Sequence, residues 1–200
     1  MEWREEVARE KRAAFRNETY WGRPVPGFGD PDASIVVFGL APAAHGANRT
    51  GRFFTGDRSG DFLFAGLYSA GLSNTAVSRR KDDGLRLSGV WISAAVRCVP
   101  PENKPTPDER DACLSFAARE LDLLNAKAIV CLGAFAWDAA LRLYGIRPKP
   151  KFGHGTEFVV DGATLLGCYH VSQQNTFTGV LTPAMLDAVL LRARELAEAA

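Results

Sequence analysis

Four residues scattered along the chain carry the side chains needed to grip a flat polar ring and cut it loose: Phe54, Asp57, Asn103 and His170. Phe54 offers a stacking face, Asn103 an amide that both donates and accepts, and His170 a donor for a ring oxygen. Asp57 supplies a carboxylate, while Arg49, Arg52, Arg58 and Lys104 supply partners for phosphate. A ring to stack on, an amide to read, an acid and surrounding cations together describe a pocket for an extruded nucleobase. Each residue also has a plainer use. Asp57 precedes a helix and could cap it. Asn103 lies between prolines and could form an Asx turn. His170 could be a structural histidine at a strand end. Of the neighbouring Phe53 and Phe54, one belongs in the core, and Phe53 is assigned there. His45 is expected as a loop hydrogen-bonder and His154 as a surface phosphate contact.

Phe54 and Asp57 share one long stretch, residues 39–57, which joins an apolar run to a helical pattern. Connections in α/β units are usually about two to six residues, and much longer ordered ones tend to be functional. Gly46 to Gly51 has the spacing of a phosphate loop, but Arg52 and Phe53 stand where Lys and Ser or Thr are required. Nucleotide hydrolysis by that mechanism is not expected, nor is a nucleotide cofactor.

The elements that must hold these side chains follow from periodicity and caps. Residues 2–16 read as a charged helix, 19–31 as an irregular Pro/Gly-rich loop, and 35–38 as a strand apolar on both faces. A helix over 61–70, a mobile polar excursion over 73–84 and a strand over 90–96 come next. Thr106-Pro107-Asp108-Glu109 gives an N-cap, a first-turn proline and a capping-box glutamate for a helix reaching about residue 124. A strand over 128–132, a helix over 134–144, a hairpin over 158–160 and 164–168, and a final helix from Thr182-Pro183 complete the chain. Alternating strands and helices predict a three-layer α/β/α sandwich with a central, mostly parallel, four-stranded sheet. Loops 39–57, 97–105, 133–134 and 169–179 then gather on the one edge where such sheets hold ligands.

Two hundred residues with 46% apolar content suit one domain over residues 1–200. A net charge of +1 excludes a histone-like electrostatic binder. No stretch is long and apolar enough for a membrane span, and no signal peptide is evident. Four cysteines without a CxxC pair argue against a zinc ribbon and leave the cytoplasm as the expected compartment.

The stretches GLAPAAHGANRTGRFFTGD, AAVRCVPPENKPTP and YHVSQQNTFTG resemble the uracil-DNA glycosylase superfamily, and specifically its fifth family, the type-B enzymes of thermophiles and actinobacteria. The likeness extends over nearly the whole chain, including WREEVAREKRAAFR and YWGRPVPGFGDP. It implies excision of uracil from double- or single-stranded DNA by a monomeric, nucleoid-associated enzyme, with other deaminated bases, hypoxanthine among them, accepted too. Phe54 would be the platform beneath the base, Asn103 the reader of the pyrimidine, and His170 the group facing O2. Leu40, Ala41 and Pro42 would border the base. Ser172, Gln173, Gln174 and Asn175 would enter the gap in the DNA. Ala41 stands where the best-known uracil glycosylases carry a water-activating aspartate, which leaves Asp57 as the acid. The resemblance also implies a four-iron, four-sulfur cluster on four thiolates. Cys98 and Cys113 match two of its ligands. The other two form a CxxC just upstream of the tryptophan matching Trp3, so the expectation is that the natural N-terminus extends beyond Met1-Glu2. Cys131 and Cys168 are expected as buried free thiols. Two other readings stay open at this point: a non-catalytic binder of damaged DNA, and a hydrolase of free nucleosides.

Overall fold

Successive side chains along the central strands go to opposite faces, and both faces are apolar. Ile35 and Val37 join one core with Ala128, Val130 and Leu132, while Val36 and Phe38 join the other with Ile129 and Cys131. A two-residue period with no polar face demands cover on both sides. The computed structural model, which describes residues 2–199, has that cover. Its strands are β1 (Phe28–Gly29), β2 (Ile35–Gly39), β3 (Val90–Ala94), β4 (Ala128–Leu132), β5 (Glu157–Val160) and β6 (Ala163–Cys168). Its helices are α1 (Glu2–Glu10), α2 (Ala47–Thr50), α3 (Arg58–Ser69), α4 (Pro107–Leu123), α5 (Ala134–Leu143), α6 (Gln173–Phe177) and α7 (Pro183–Glu198). Leu63 and Leu67 of α3 and Leu186 and Leu190 of α7 pack on the first face. Leu114 of α4 and Trp137 and Leu141 of α5 pack on the second.

The α/β/α sandwich is as expected, but the sheet has six strands among the described residues, in the order β1-β3-β2-β4-β6-β5. The four parallel strands β3-β2-β4-β6 are the anticipated ones. Two short antiparallel edges extend them: β1 on β3, and β5 on β6 through the hairpin at Asp161-Gly162. A two-residue strand inside a Pro/Gly-rich loop leaves no periodicity to read, which is why β1 was missed. From β2 the chain crosses first to one neighbour, β3, and next to the other, β4. The connections leaving β2 and β4 therefore diverge and open a crevice at their C-terminal ends.

Smaller departures concern the flanks. Helix α1 stops at Glu10 because Lys11 adopts a left-handed conformation (φ 55°), and a 3-10 turn, Ala13–Phe15, follows in place of one helix to residue 16. The excursion over 73–84 is tied down rather than mobile: Ser73 bridges to Leu87, and Ser78 is fully buried. The capping box of α4 is present, with Thr106 Oγ1 accepting from Glu109 N and Glu109 accepting from Thr106 N.

Candidate active site

The loop after β2 is anchored at its first residues. Ala95 N and Val96 N donate to the carbonyls of Gly39 and Leu40. The amides of Leu40, Ala41, Ala43 and Ala44 donate to no protein acceptor among the described residues, which leaves them as a ready row of donors. Farther on, Phe53 is the buried member of the aromatic pair, 1% exposed. Phe54 takes a left-handed conformation (φ 51°) that turns its ring back over the end of β2, where a Cβ on Gly39 would lie 2.9 Å from the ring. A non-glycine residue held there is strained, and the absence of a side chain at residue 39 is what lets the ring settle.

His170 sits over the neighbouring strand end. A Cβ on Gly133, directly after β4, would lie 3.3 Å from its Cβ. β2 and β4 are hydrogen-bonded neighbours, with Phe38 opposite Cys131, so Phe54 and His170 stand over the ends of adjacent strands; neither lines the cavity in front of the loop. Burial holds the His170 imidazole below its ordinary pKa, so the ring is neutral at pH 7. Asn175 Nδ2 donates to the His170 carbonyl at 2.8 Å and fixes its backbone.

In front of the loop lies a cavity of about 710 Å³, with Asp57, Asn103, Gln173 and Phe177 among its lining residues. Asp57 does cap a helix: Oδ1 accepts from Gly60 N at 2.9 Å at the start of α3. Its second oxygen, Oδ2, presses on Gly46, where no Cβ would fit. Burial raises the Asp57 pKa above the usual carboxylate range, against the opposing pull of the Gly60 amide. Asn103 reaches the same cavity from a 3-10 turn, Pro101–Asn103, in which both Glu102 (φ 52°) and Asn103 (φ 56°) are left-handed. Its side-chain amide is exposed and makes no protein hydrogen bond among the described residues. Opposite stands α6, a short helix capped by Ser172, whose Oγ accepts from Asn175 N; Gln173 and Gln174 are exposed on it.

The expected phosphate partners divide. Lys104 is exposed and near Glu102, at 3.3 Å. Arg49 and Arg52 are committed internally. Arg49 donates to the His45 and Gly56 carbonyls, pairs with Glu18 and lies over the Phe15 ring at 4.0 Å. Arg52 donates to Thr55, Ser78 and Asp83, and its side chain is 6% exposed. Neither guanidinium is free for DNA, because acceptors 26 to 31 residues away in sequence claim them. Arg58, by contrast, is exposed at the cavity and lies over the ring of Phe177, which is itself 68% exposed. His154 is not a surface contact: Tyr169 N donates to its Nδ1 at 3.2 Å, bracing the chain that enters His170. Sequence reasoning gave Arg12 and Phe15 no place in the site, though the N-terminal segment brings both to the cavity wall. An irregular segment gives no sequence signal of where it docks.

The thiols separate into two pairs. Cys131 and Cys168 are buried free thiols, both pushed upward by burial, Cys168 to about 12. Cys98 and Cys113 are half-buried and line a second cavity of about 550 Å³, together with Val25, Val96 and Phe116. Arg4 Nη1 lies 3.2 Å from Cys98 Sγ, a cation suited to a thiolate ligand. Among the described residues no further cysteine reaches that cavity, and no group of three or more potential metal ligands is present. The residues therefore fit half of a four-thiolate cluster site.

A family model described as the Uracil DNA glycosylase superfamily matches residues 26–194. Among curated proteins, the type-5 uracil-DNA glycosylase of Mycobacterium bovis is 57% identical over 202 residues, spanning 98% of this chain and 75% of the relative. The protein of that description from Thermus thermophilus is 54% identical over 198 residues, 98% of this chain and 90% of the relative. A type-4 uracil-DNA glycosylase from Archaeoglobus fulgidus is 35% identical over 123 residues, 61% of this chain and 54% of the relative.

Proposed function

The chain belongs to the uracil DNA glycosylase superfamily, and we propose that it excises uracil from DNA in repair, as a monofunctional enzyme that hydrolyses the N-glycosidic bond and leaves an abasic site. The finer reading is that the base swings out of the helix into the crevice between Phe54 and His170, and that other deaminated bases such as hypoxanthine are accepted there. The observation that carries it is the convergence of Asp57, Asn103 and α6 on one cavity that the open amides of Ala43 and Ala44 also border.

In the proposed reaction the bond between deoxyribose C1′ and the base breaks through an oxocarbenium-like state. The bonding electron pair leaves with uracil as a delocalised anion, and water adds to C1′ and gives up a proton. Donors fixed where that negative charge develops lower the barrier without reorganising. The neutral His170 ring would donate to O2, and the amides around Ala41 and Ala43 would serve the other oxygen. Phe54 would carry the ring face, and the free amide of Asn103 would read its edge. Asp57, with Oδ2 against Gly46 and its charge already costly through burial, gains from a sugar cation placed beside it. Cys98 and Cys113 would be two ligands of a four-iron, four-sulfur cluster, which would brace the segment after β3. No step above passes through it. The enzyme would act as a monomer, near the nucleoid, on single- or double-stranded DNA.

One assay tests this reading. Oligonucleotides carrying a single uracil or hypoxanthine, or only undamaged bases, are incubated with the protein and then cleaved at abasic sites with alkali. Wild type should cut at uracil and hypoxanthine only, and His170→Ala should slow excision by roughly 10²–10³-fold. Excision undiminished in His170→Ala would turn the reading toward a different set of donors, and no cleavage by wild type would end it.

A further inference from the structure

We propose that His45, oriented by Tyr20, and Arg12 form a phosphodiester subsite that holds the DNA strand beside the sugar facing Asp57. Arg12, Phe15, His45 and Asp57 line the same cavity. Arg12 is exposed, and its guanidinium has no carboxylate partner among the described residues. Phe15 next to it is held in place by the Arg49 guanidinium.

One buried phenol ties the two ligating groups together. The hydroxyl of Tyr20, a residue 7% exposed, accepts from Arg12 N at 3.4 Å and lies 3.1 Å from His45 Nδ1. Its proton has no other acceptor among the described residues, so it goes to Nδ1. The imidazole hydrogen then resides on Nε2. Nε2 makes no protein hydrogen bond and is absent from the buried unpartnered polar atoms, which leaves it open to the cavity. Burial keeps the ring neutral, and the charges of Arg12 and Arg49 act in the same direction. The subsite thus combines a fixed neutral donor with a free cation, one residue before the Gly46 that touches Asp57 Oδ2. A phosphodiester answers both: one non-bridging oxygen accepts from Nε2–H while its charge meets Arg12. Each flipped nucleotide carries such a group on its own sugar.

The inference rests on the DNA-glycosylase reading, and the uracil assay tests that reading separately. Here the probe is a fluorescent duplex with one tetrahydrofuran abasic analogue, titrated over a range of KCl concentrations. Arg12→Ala should lower the slope of log K against log salt by about one unit. His45→Ala should weaken binding about fivefold while leaving the slope unchanged. Tyr20→Phe keeps the buried ring and removes only the hydroxyl, so it should weaken binding less, and it should cost nothing further in a His45→Ala background. His45→Gln, which keeps a donor, should recover part of the affinity and guards against misfolding of the alanine variant. Wild-type affinity in His45→Ala, an unchanged slope in Arg12→Ala, or independent, additive losses for Tyr20→Phe and His45→Ala would each overturn the subsite.

Discussion

Asp57 caps α3 and, on the proposed reading, also faces the sugar cation, and a single substitution can separate the two roles. One oxygen caps α3 through Gly60, and the other lies against Gly46, which lines the cavity beside it. Asparagine caps about as well as aspartate. Burial already disfavours the charge, because a raised folded pKa stabilises the protein only at low pH and that contribution is lost as pH rises through it. Asp57→Asn should therefore leave the melting temperature at pH 7 unchanged or higher while cutting single-turnover uracil excision by at least tenfold. A drop in stability with full activity would mean that capping is its whole role. At this scale the sequence spoke clearly where chemistry is local: Phe53 in the core and Asp57 at a helix start both follow from neighbouring residues. It misleads on Arg49 and Arg52, which read as phosphate partners, and gives His45 as a loop hydrogen-bonder without its partner, because their settings depend on Glu18, Asp83 and Tyr20. No spacing rule links such pairs before the chain is folded.

Elements show the same divide between near and far. The strand over 128–132 and the capping box of α4 were legible because their signals lie within a few residues. Helices α2 and α6 were hidden inside loops, being too short for a helical period to register. The excursion over 73–84 reads as mobile from its polar sequence; folded, Ser78, Asp83 and the Lys81 carbonyl meet Arg52. Asp83 is held at about pKa 2: burial pushes it up, but the Arg52 guanidinium and the amides of Arg79, Arg80 and Leu85 pull it down further. Removing one partner of a buried ion pair strands the other and costs about 3–5 kcal/mol. Arg52→Ala should show a loss of that order in urea unfolding, with amide exchange rising first across residues 78–83. The loop that presents Phe54 and Asp57 is contiguous with this network, so activity should fall along with stability.

For the molecule as a whole, strand order decides where the site can be. Placing β2 between β3 and β4 sends consecutive connections to opposite sides, and Phe54 and His170, far apart in sequence, come to stand over the ends of the adjacent strands β2 and β4. That edge was predictable from strand–helix alternation, whereas the contribution of the N-terminal segment to the cavity wall was not. Acid behaviour is likewise a property of the whole. His45, His154 and His170 all have pKa values lowered by burial. Unfolding lets them bind protons at about 6.5, so their contribution to stability is intact above that pH and is lost as pH falls through the lowered folded values. The melting temperature should decline steadily from about pH 7 to pH 5, as followed by circular dichroism, and replacing His170 with Gln should flatten that decline.

The left-handed pair at Glu102 and Asn103 bears on how such an enzyme could drift. Few residue types are at ease in that backbone region, chiefly glycine, asparagine and aspartate. Of those three, asparagine alone offers a hydrogen and a lone pair side by side. Any replacement that spares the bend would blank or invert what the position reads, and any that imitates the reading, such as glutamine, would spoil the bend. On the proposed reading of Asn103, selectivity for the base is locked to the contour of the chain, and new preferences would have to arise elsewhere around the site.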